Sequence, residues 1–349
     1  MIYGCYGYSG ELIAREAVAR GLSPILAGRN KDKVHGLADE LSLSSQVFDL
    51  DDVDVIASHI QDITVLIHAA GPFSATAKPM LAACVLAKVN YLDITGEIDV
   101  FALAQSMDAQ FQKAGVVAMP GVGFDVIPTD CVAAKLKQLM PDASHLVLGF
   151  DSRSGMSKGT AKTSVEGLGN GGKVRVAGQL KKVGHAYKVR KINFGNGEKV
   201  ATTIPWGDVN TAYYNTGIEN IEVYIPTSPK MIKQMRFLNW IKPLFRLKPV
   251  QSLIKKKIEK SLVPPNQEKR DKSPTYVWGE VSNAHGQKVE LTLKTANGYT
   301  VTKNGAVTVA EKLIWNEDKE IKGYQTPSMA FGADLVLELP GSSEFNVTI

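Results

Sequence analysis

Residues 3–14 read YGCYGYSGELIA, with Gly4, Gly7 and Gly10 three apart and only Met1, Ile2 and Tyr3 before them. The stretch that follows carries apolar residues at helical intervals, Leu12, Ile13, Ala17 and Val18, and Gly21 closes it. A short strand, a glycine turn and a helix in this order suit phosphate binding. Gly4 permits the tight turn, Gly7 lets backbone approach a pyrophosphate, and Gly10 lets helix and strand pack closely. The N–H groups around Tyr6, Tyr8 and Ser9, where turn becomes helix, would face the phosphates. Glycines also serve plain turns, so the flanking sequence has to decide.

Working outward, SPILAGRN (23–30) predicts a strand and DKVHGLADEL (32–41) a helix. SQVFDL (45–50) is a strand ending near Asp49. TVLIHAAGPF (64–73) is an unbroken apolar run that stops at Gly71-Pro72, as a strand buried on both faces should. KPMLAACVLAKVN (78–90) is helical, YLDIT (91–95) a strand, residues 100–115 a helix, and VVAMPGVGF (116–124) a last strand entering a glycine turn. The alternation predicts a Rossmann, doubly wound parallel sheet with helices on both faces, an α/β fold. In that setting the glycine turn reads as a dinucleotide site.

The nucleotide it selects depends on the end of the second strand, where an acid would hold a ribose 2′-hydroxyl. Here the residues are Ala27-Gly28-Arg29-Asn30, with no acid before Asp32. The guanidinium of Arg29 suits a 2′-phosphate through paired charge-assisted hydrogen bonds, so NADP(H) is the expected cofactor. Asp49 either accepts from the adenine amino group or caps its own loop. Ala69, Ala70, Gly71, Pro72 and Phe73 should pass the nicotinamide ribose, and Gly121 and Gly123 the nicotinamide ring.

The remaining chain bounds the function. With 349 residues, 44% hydrophobic and 21% charged, it suits two domains of a globular protein. Three scattered cysteines, Cys5, Cys84 and Cys131, fit neither a metal site nor a disulfide framework, and fit a reducing cytoplasm. Neither a leader-like start nor an apolar run long enough to span a bilayer is read. The net charge of +5 is concentrated: residues 230–272 hold thirteen Lys/Arg against three acids. No nucleic-acid module accompanies that charge.

From Val126 the pattern changes. PTDCVAAKLKQLM (128–140) is a helix, HLVLGFD (145–151) a strand, and YKVRKINFGNGEKVATTI (187–204) and VWGEVSNAHGQKVELTLKT (277–295) are hairpins. These strands would serve a substrate pocket or a homodimer contact. The glycine- and hydroxyl-rich residues 153–172 read as a cleft wall or as a plain loop. Between the hairpins, residues 229–272 mix Met231, Phe237, Trp240, Leu244 and Leu247 with cations. That excursion is either an interfacial helix pair that meets anionic lipid or an acidic carrier, or a cover for the core or a dimer partner.

Chemistry is less legible. Hydride transfer needs a positioned cofactor and one proton donor or polarising group. Asp93, Thr95, Glu97 and Asp125 lie near strand ends, and Asp125, just past the last strand, is best placed, with a helix cap as its competing role. Two Tyr-x-x-x-Lys spacings, Tyr187/Lys191 and Tyr299/Lys303, match chance frequency; the first is strand-like and the second is expected far from the crevice.

The segments YGCYGYSGELIA, AGRN, HAAGPFS, YLDITGE and PGVGFDVIPTD together resemble the saccharopine dehydrogenase-like oxidoreductases, in the branch that includes trans-acting enoyl reductases. The likeness continues through SKGTAKTSVEGLG, IPWGDVNTAYYNTGIENIEVYI, YVWGEVSNAHG and GYQTPSMAFGADLVLELPG. It implies an NADP-binding domain over 1–125, an α+β domain with a mixed sheet over 126–325, and a segment 326–349 packing back on the first. The implied activity is NADP(H)-dependent reduction of a C=C, C=O or C=N bond in an apolar or acyl-type, lipid-like substrate. The alternative is a non-catalytic NADP(H)-binding protein that docks on lipid or a partner through its basic segment. Two features depart from the family: Cys5-Tyr6 is bulkier than its usual turn, and VPPNQEKR (263–270) replaces a Gly-Pro-Ser-type segment.

Overall fold

In the computed structural model, residues 1–152, 161, 165, 167–261, 273–315 and 321–349 are described. The cleft wall expected at 153–172 lies mostly outside them, as do 263–270 and the end of the basic excursion. The chain forms two compact units, Met1–Ile127 with Tyr299–Gly332, and Pro128–Gly298 with Ala333–Ile349. This revises the division drawn from sequence. Residues 299–325, expected in the second domain, group with the first. Of 326–349, only the part up to Gly332 groups with the first unit.

The first unit holds strands β1 (Ile2–Tyr3), β2 (Leu26–Gly28), β3 (Ser45–Val47), β4 (Val65–His68), β5 (Asn90–Asp93) and β6 (Val117–Met119). With β15 (Gly323–Tyr324) they form one sheet in the order β3-β2-β1-β4-β5-β6-β15, and every neighbouring pair is parallel. This is the doubly wound order, with its switch point between β1 and β4. The apolar runs behave as expected of strands covered on both faces. Leu26, Leu66, Tyr91 and Leu92 are fully buried, each such side chain contributing roughly 1.5–3 kcal/mol.

Helices α1 (Tyr8–Ala19), α2 (Lys31–Leu41), α3 (Val53–Ile60), α4 (Phe73–Ala87), α5 (Ile98–Ser106) and α6 (Asp108–Ala114) connect the strands. Side chains start several of them: Asn30 caps α2 through the N–H of Lys33, and Asp52 caps α3 through Asp54 and Val55. The helix expected over 100–115 divides at Met107, where the carboxylate of Asp108 accepts from the N–H of Tyr324 in β15. The helix expected from Lys78 begins earlier, at Phe73, so Pro79 lies inside it.

Three elements from late in the chain complete this unit: β15 and two helices, one long and one of five residues, Pro327–Phe331. Helix α11 (Gly298–Ile314) is tied to α1 by Arg20, which donates to Glu16, Thr308, Glu311 and Asn304. Lys303 also donates to Glu16. Burial would raise the Glu16 carboxyl, but the hydrogen bonds from Lys303 and Arg20 outweigh it and hold the group below the ordinary carboxylate range.

The second unit is built on a mixed sheet ordered β10-β11-β12-β7-β13-β14-β16, with β8 and β9 branching from β12. Its strands are β7 (His145–Ser152), β8 (Gly172–Val176), β9 (Gln179–Val183), β10 (Val189–Asn193), β11 (Glu198–Thr203), β12 (Asn220–Pro226), β13 (Thr275–Ser282), β14 (Lys288–Thr295) and β16 (Asn346–Thr348). β12 runs parallel to β7, and β13 antiparallel to both β7 and β14. Helix α7 (Ile127–Leu139) covers the sheet at Gly279, where a β-carbon would fall 2.6 Å from Leu136 and Val132. Both hairpins read from sequence form as β10–β11 and β13–β14. Helix α8 (Asp208–Thr216) precedes β12; α9 (Pro229–Ile241) and α10 (Lys248–Ser261) form the basic excursion; α12 (Pro327–Phe331) follows β15.

Candidate nucleotide site

The loops after β1 and β4 meet at the switch point. Gly4 has φ +84°, and a β-carbon on it would fall 2.8 Å from Cβ of Ala70. A β-carbon on Gly10 would fall 2.2 Å from the Gly4 carbonyl oxygen. The Gly7 N–H donates to the Gly4 carbonyl, and the Glu11 N–H to the Gly7 carbonyl, so the turn passes directly into α1. Gly7 is the N-cap of α1 and no side chain caps it. The N–H groups of Ser9 and Gly10, in the first turn, have no acceptor within the helix and suit one from outside.

Tyr6 does not crowd that turn. Its ring rests on Gly28, where a β-carbon would fall 2.7 Å from Cε1, and the Lys33 ammonium sits 5.7 Å from the ring centroid. The bulky departure at Cys5-Tyr6 is thus absorbed: Cys5 is buried and Tyr6 lies on the end of β2. Beside it Arg29 is exposed and makes no hydrogen bond or ion pair with the described residues. Arg29 and Lys33 set two cations beside the end of β2. Lys33 was not anticipated from sequence; its signal was an i+4 spacing from Arg29. Asn30 is spent on capping α2, and Asp49 accepts from the Asp51 N–H, the loop-capping role weighed for it.

On the other side, Ala69 and Ala70 border Gly4, Gly71 and Pro72 are exposed, and Phe73 is buried at the start of α4. Glu97 accepts from the N–H groups of both Phe73 and Ser74, so this acid caps α4 and leaves the list of proton donors. His68, at the end of β4, is fully buried. Its Nε2 pairs with the Thr76 hydroxyl at 2.9 Å, which also lies within hydrogen-bond reach of the Ala70 and Pro72 carbonyls, while Nδ1 has no partner. Burial lowers its pKa to about 3, and the ring stays neutral.

Asp93 is also structural. Fully buried at the end of β5, it accepts from the Tyr91 hydroxyl and from the N–H groups of Thr95 and Gly121. Burial raises its pKa to about 6 against these hydrogen bonds. Thr95 in turn accepts from the Glu97 N–H. Asp93 therefore latches the loop after β5 to Gly121. Gly121 has φ +81°, and a β-carbon there would fall 2.4 Å from Val126; one on Gly123 would meet Thr302 at 3.1 Å.

Asp125 differs from its neighbours. It is partly buried, makes no hydrogen bond with the described residues, and its carboxyl lies against Gly96, where a β-carbon would fall 2.7 Å from Oδ2. Burial alone raises its pKa to about 7. Such a group carries a proton near neutrality and can release it.

The two tyrosine–lysine pairs have different places. Lys191 pairs with Glu198 on the β10–β11 hairpin. Tyr299 is not far from the turn, contrary to expectation: its ring meets Tyr8 edge-on at 5.0 Å, at the start of α1. Lys303 is committed to Glu16, so it does not serve as the cation that would activate this tyrosine. Among the described residues no cluster of His, Cys, Asp or Glu could hold a metal. No described helix is long and apolar enough to cross a membrane.

Comparison with known proteins bears on this geometry. A family model described as "Saccharopine dehydrogenase NADP binding domain" matches residues 1–119. A trans-acting enoyl reductase of Mycobacterium tuberculosis is 27% identical over 189 residues, covering 48% of this chain and 44% of the relative. One of Mycobacterium ulcerans is 29% identical over 144 residues, covering 37% and 33%. The matched stretch thus spans less than half the length of these relatives. Apo saccharopine dehydrogenase (L-Glu forming) of Saccharomyces cerevisiae matches in fold with a TM-score of 0.66 at 11% identity, covering 100% of this chain and 99% of that one. Residues 1–119 thus match the model of the saccharopine dehydrogenase NADP binding domain, and the chain is similar in fold to a saccharopine dehydrogenase.

Proposed function

We propose that the protein is an NADP(H)-dependent oxidoreductase that reduces a C=C, C=O or C=N bond in an apolar or acyl-type substrate. The observation that carries this reading is the uncapped start of α1 beside the two cations Arg29 and Lys33. The names of the mycobacterial relatives support the enoyl, acyl-type end of that range. Lipid-like molecules are the substrates this implies, and a lipid surface is where they would be met.

When bound, the dihydronicotinamide supplies a hydride. The residues of this chain do the rest. Backbone N–H groups at Tyr8, Ser9 and Gly10 hold the diphosphate, and Gly4 and Gly7 admit it. Arg29 pairs with the 2′-phosphate, and Lys33 adds charge behind the Tyr6 ring. Ala69 to Phe73 and Gly121 to Gly123 shape the nicotinamide end. Asp125, neutral below its raised pKa, gives its proton to the atom across the reduced bond and regains one from water.

The test is loss of NADPH absorbance in the presence of enoyl and keto thioesters. Oxidation that depends on substrate supports the reading. Tight NADPH binding without oxidation of any of them returns the non-catalytic, docking alternative.

A further inference from the structure

The basic excursion leaves Met231, Phe237, Trp240, Leu244, Leu247 and Leu253 exposed. Helix α9 is fastened to the loop before β10 by one side only. Ile232 is buried there, Asn239 accepts from the His185 N–H and donates to its carbonyl, and Arg236 donates to the Ala186 carbonyl. A neighbouring strip of the helix carries Lys230, Lys233, Phe237 and Trp240, spaced three or four apart and therefore on one face, and Leu244 is exposed in the turn that follows. Trp240 is 86% exposed and Phe237 63%. Helix α10 repeats the arrangement: Leu253 is 72% exposed on the same face as Lys256, Lys257 and Lys260.

Charge decides what could cover this face. Residues 229–261 carry ten Lys/Arg against one acid, Glu259. A second copy of the chain meeting it through the same surface would oppose like charge to like. An anionic bilayer offers both things the face lacks, negative charge for the lysines and an apolar layer at interfacial depth for Trp240, Phe237 and Leu253. We infer that α9 and α10 are a peripheral membrane-binding element, with Trp240 and Phe237 entering the headgroup boundary of anionic lipid. The inference extends the reading of a lipid-like substrate but stands on different residues, and its test needs no turnover.

The protein is sedimented with vesicles of phosphatidylcholine alone and with added phosphatidylglycerol, with tryptophan emission followed in parallel. Binding should require the anionic lipid, weaken with salt, and shift emission to the blue; Trp240→Phe should abolish the shift although Trp315 remains exposed. K256E/K257E/K260E should reduce binding on the order of 100-fold, since each cation near such a surface is worth several-fold. Unchanged NADPH binding shows that the variants are folded and keeps a failure here separate from a failure of the enzymatic reading. Absence of sedimentation on every vesicle overturns the inference. So do equal binding to neutral vesicles, full binding by the triple variant, or shielding of Trp240 by self-association or by an acidic carrier protein instead.

Discussion

The ring of Tyr6 rests on Gly28, so closely that a β-carbon at Gly28 would fall 2.7 Å from it. One residue from the phosphate turn and one from the end of β2 thus form a single wall, with Arg29 and Lys33 at its rim. Gly28→Ala should push the ring toward the turn and weaken NADPH about tenfold, some 1.4 kcal/mol. Tyr6→Ala in the same chain should restore part of that loss. Independent, additive losses in the double-mutant cycle would show that the two residues do not share a wall.

Arg29→Ala should cost NADPH the charge-assisted hydrogen bonds of its 2′-phosphate, roughly 1.5–3 kcal/mol, and leave NADH nearly unaffected. Isothermal titration with both coenzymes measures this directly. Equal losses for the two would remove Arg29 from phosphate recognition and leave Lys33 as the selecting cation.

Asp125 must be protonated to donate, and its raised pKa puts the transition near pH 7. The rate of reduction should hold below that pH and fall about tenfold per pH unit above it. Asp125→Asn should be slower at low pH and should lose the transition. A variant that keeps the wild-type profile would assign the proton to water or another group.

His68 is neutral in the fold, with its pKa lowered to about 3 from an ordinary 6.5. Below pH 6.5 the unfolded chain binds a proton there that the folded chain refuses. The histidine's share of stability is complete above pH 6.5 and declines by about 1.4 kcal/mol per unit as the pH drops toward 3. Asp93, raised to about 6, works in the opposite sense, so the comparison must be with His68→Gln. The stability difference between wild type and variant, from urea unfolding, should shrink as pH falls; a constant difference would contradict a buried neutral ring.

The first sheet was legible because each strand is a local signal, an apolar run ended by glycine or by a polar residue that turns the chain. The place of Arg29 just past β2 was legible for the same reason. What escaped the sequence depends on partners far away along the chain. Glu97 looked like a catalytic acid because nothing near it reveals that it caps α4, and Tyr299 seemed remote because Arg20 and Asn304 are 284 residues apart. Helix α3 was overlooked because Asp49, Asp51 and Asp52 resemble an open loop, although Asp52 is a cap. The β8–β9 hairpin was missed because β9 is largely exposed and lacks an alternating pattern.

Since α11 begins only at Gly298 and β15 follows it, a ribosome must emit most of the polypeptide before the nucleotide half can close. Severed after Ile127, that half would present β6 as a bare hydrogen-bonding edge and strip Arg20 of its acceptors Asn304, Thr308 and Glu311. The boundary at residue 119, where the family-model match ends, therefore does not mark a piece that can be produced alone.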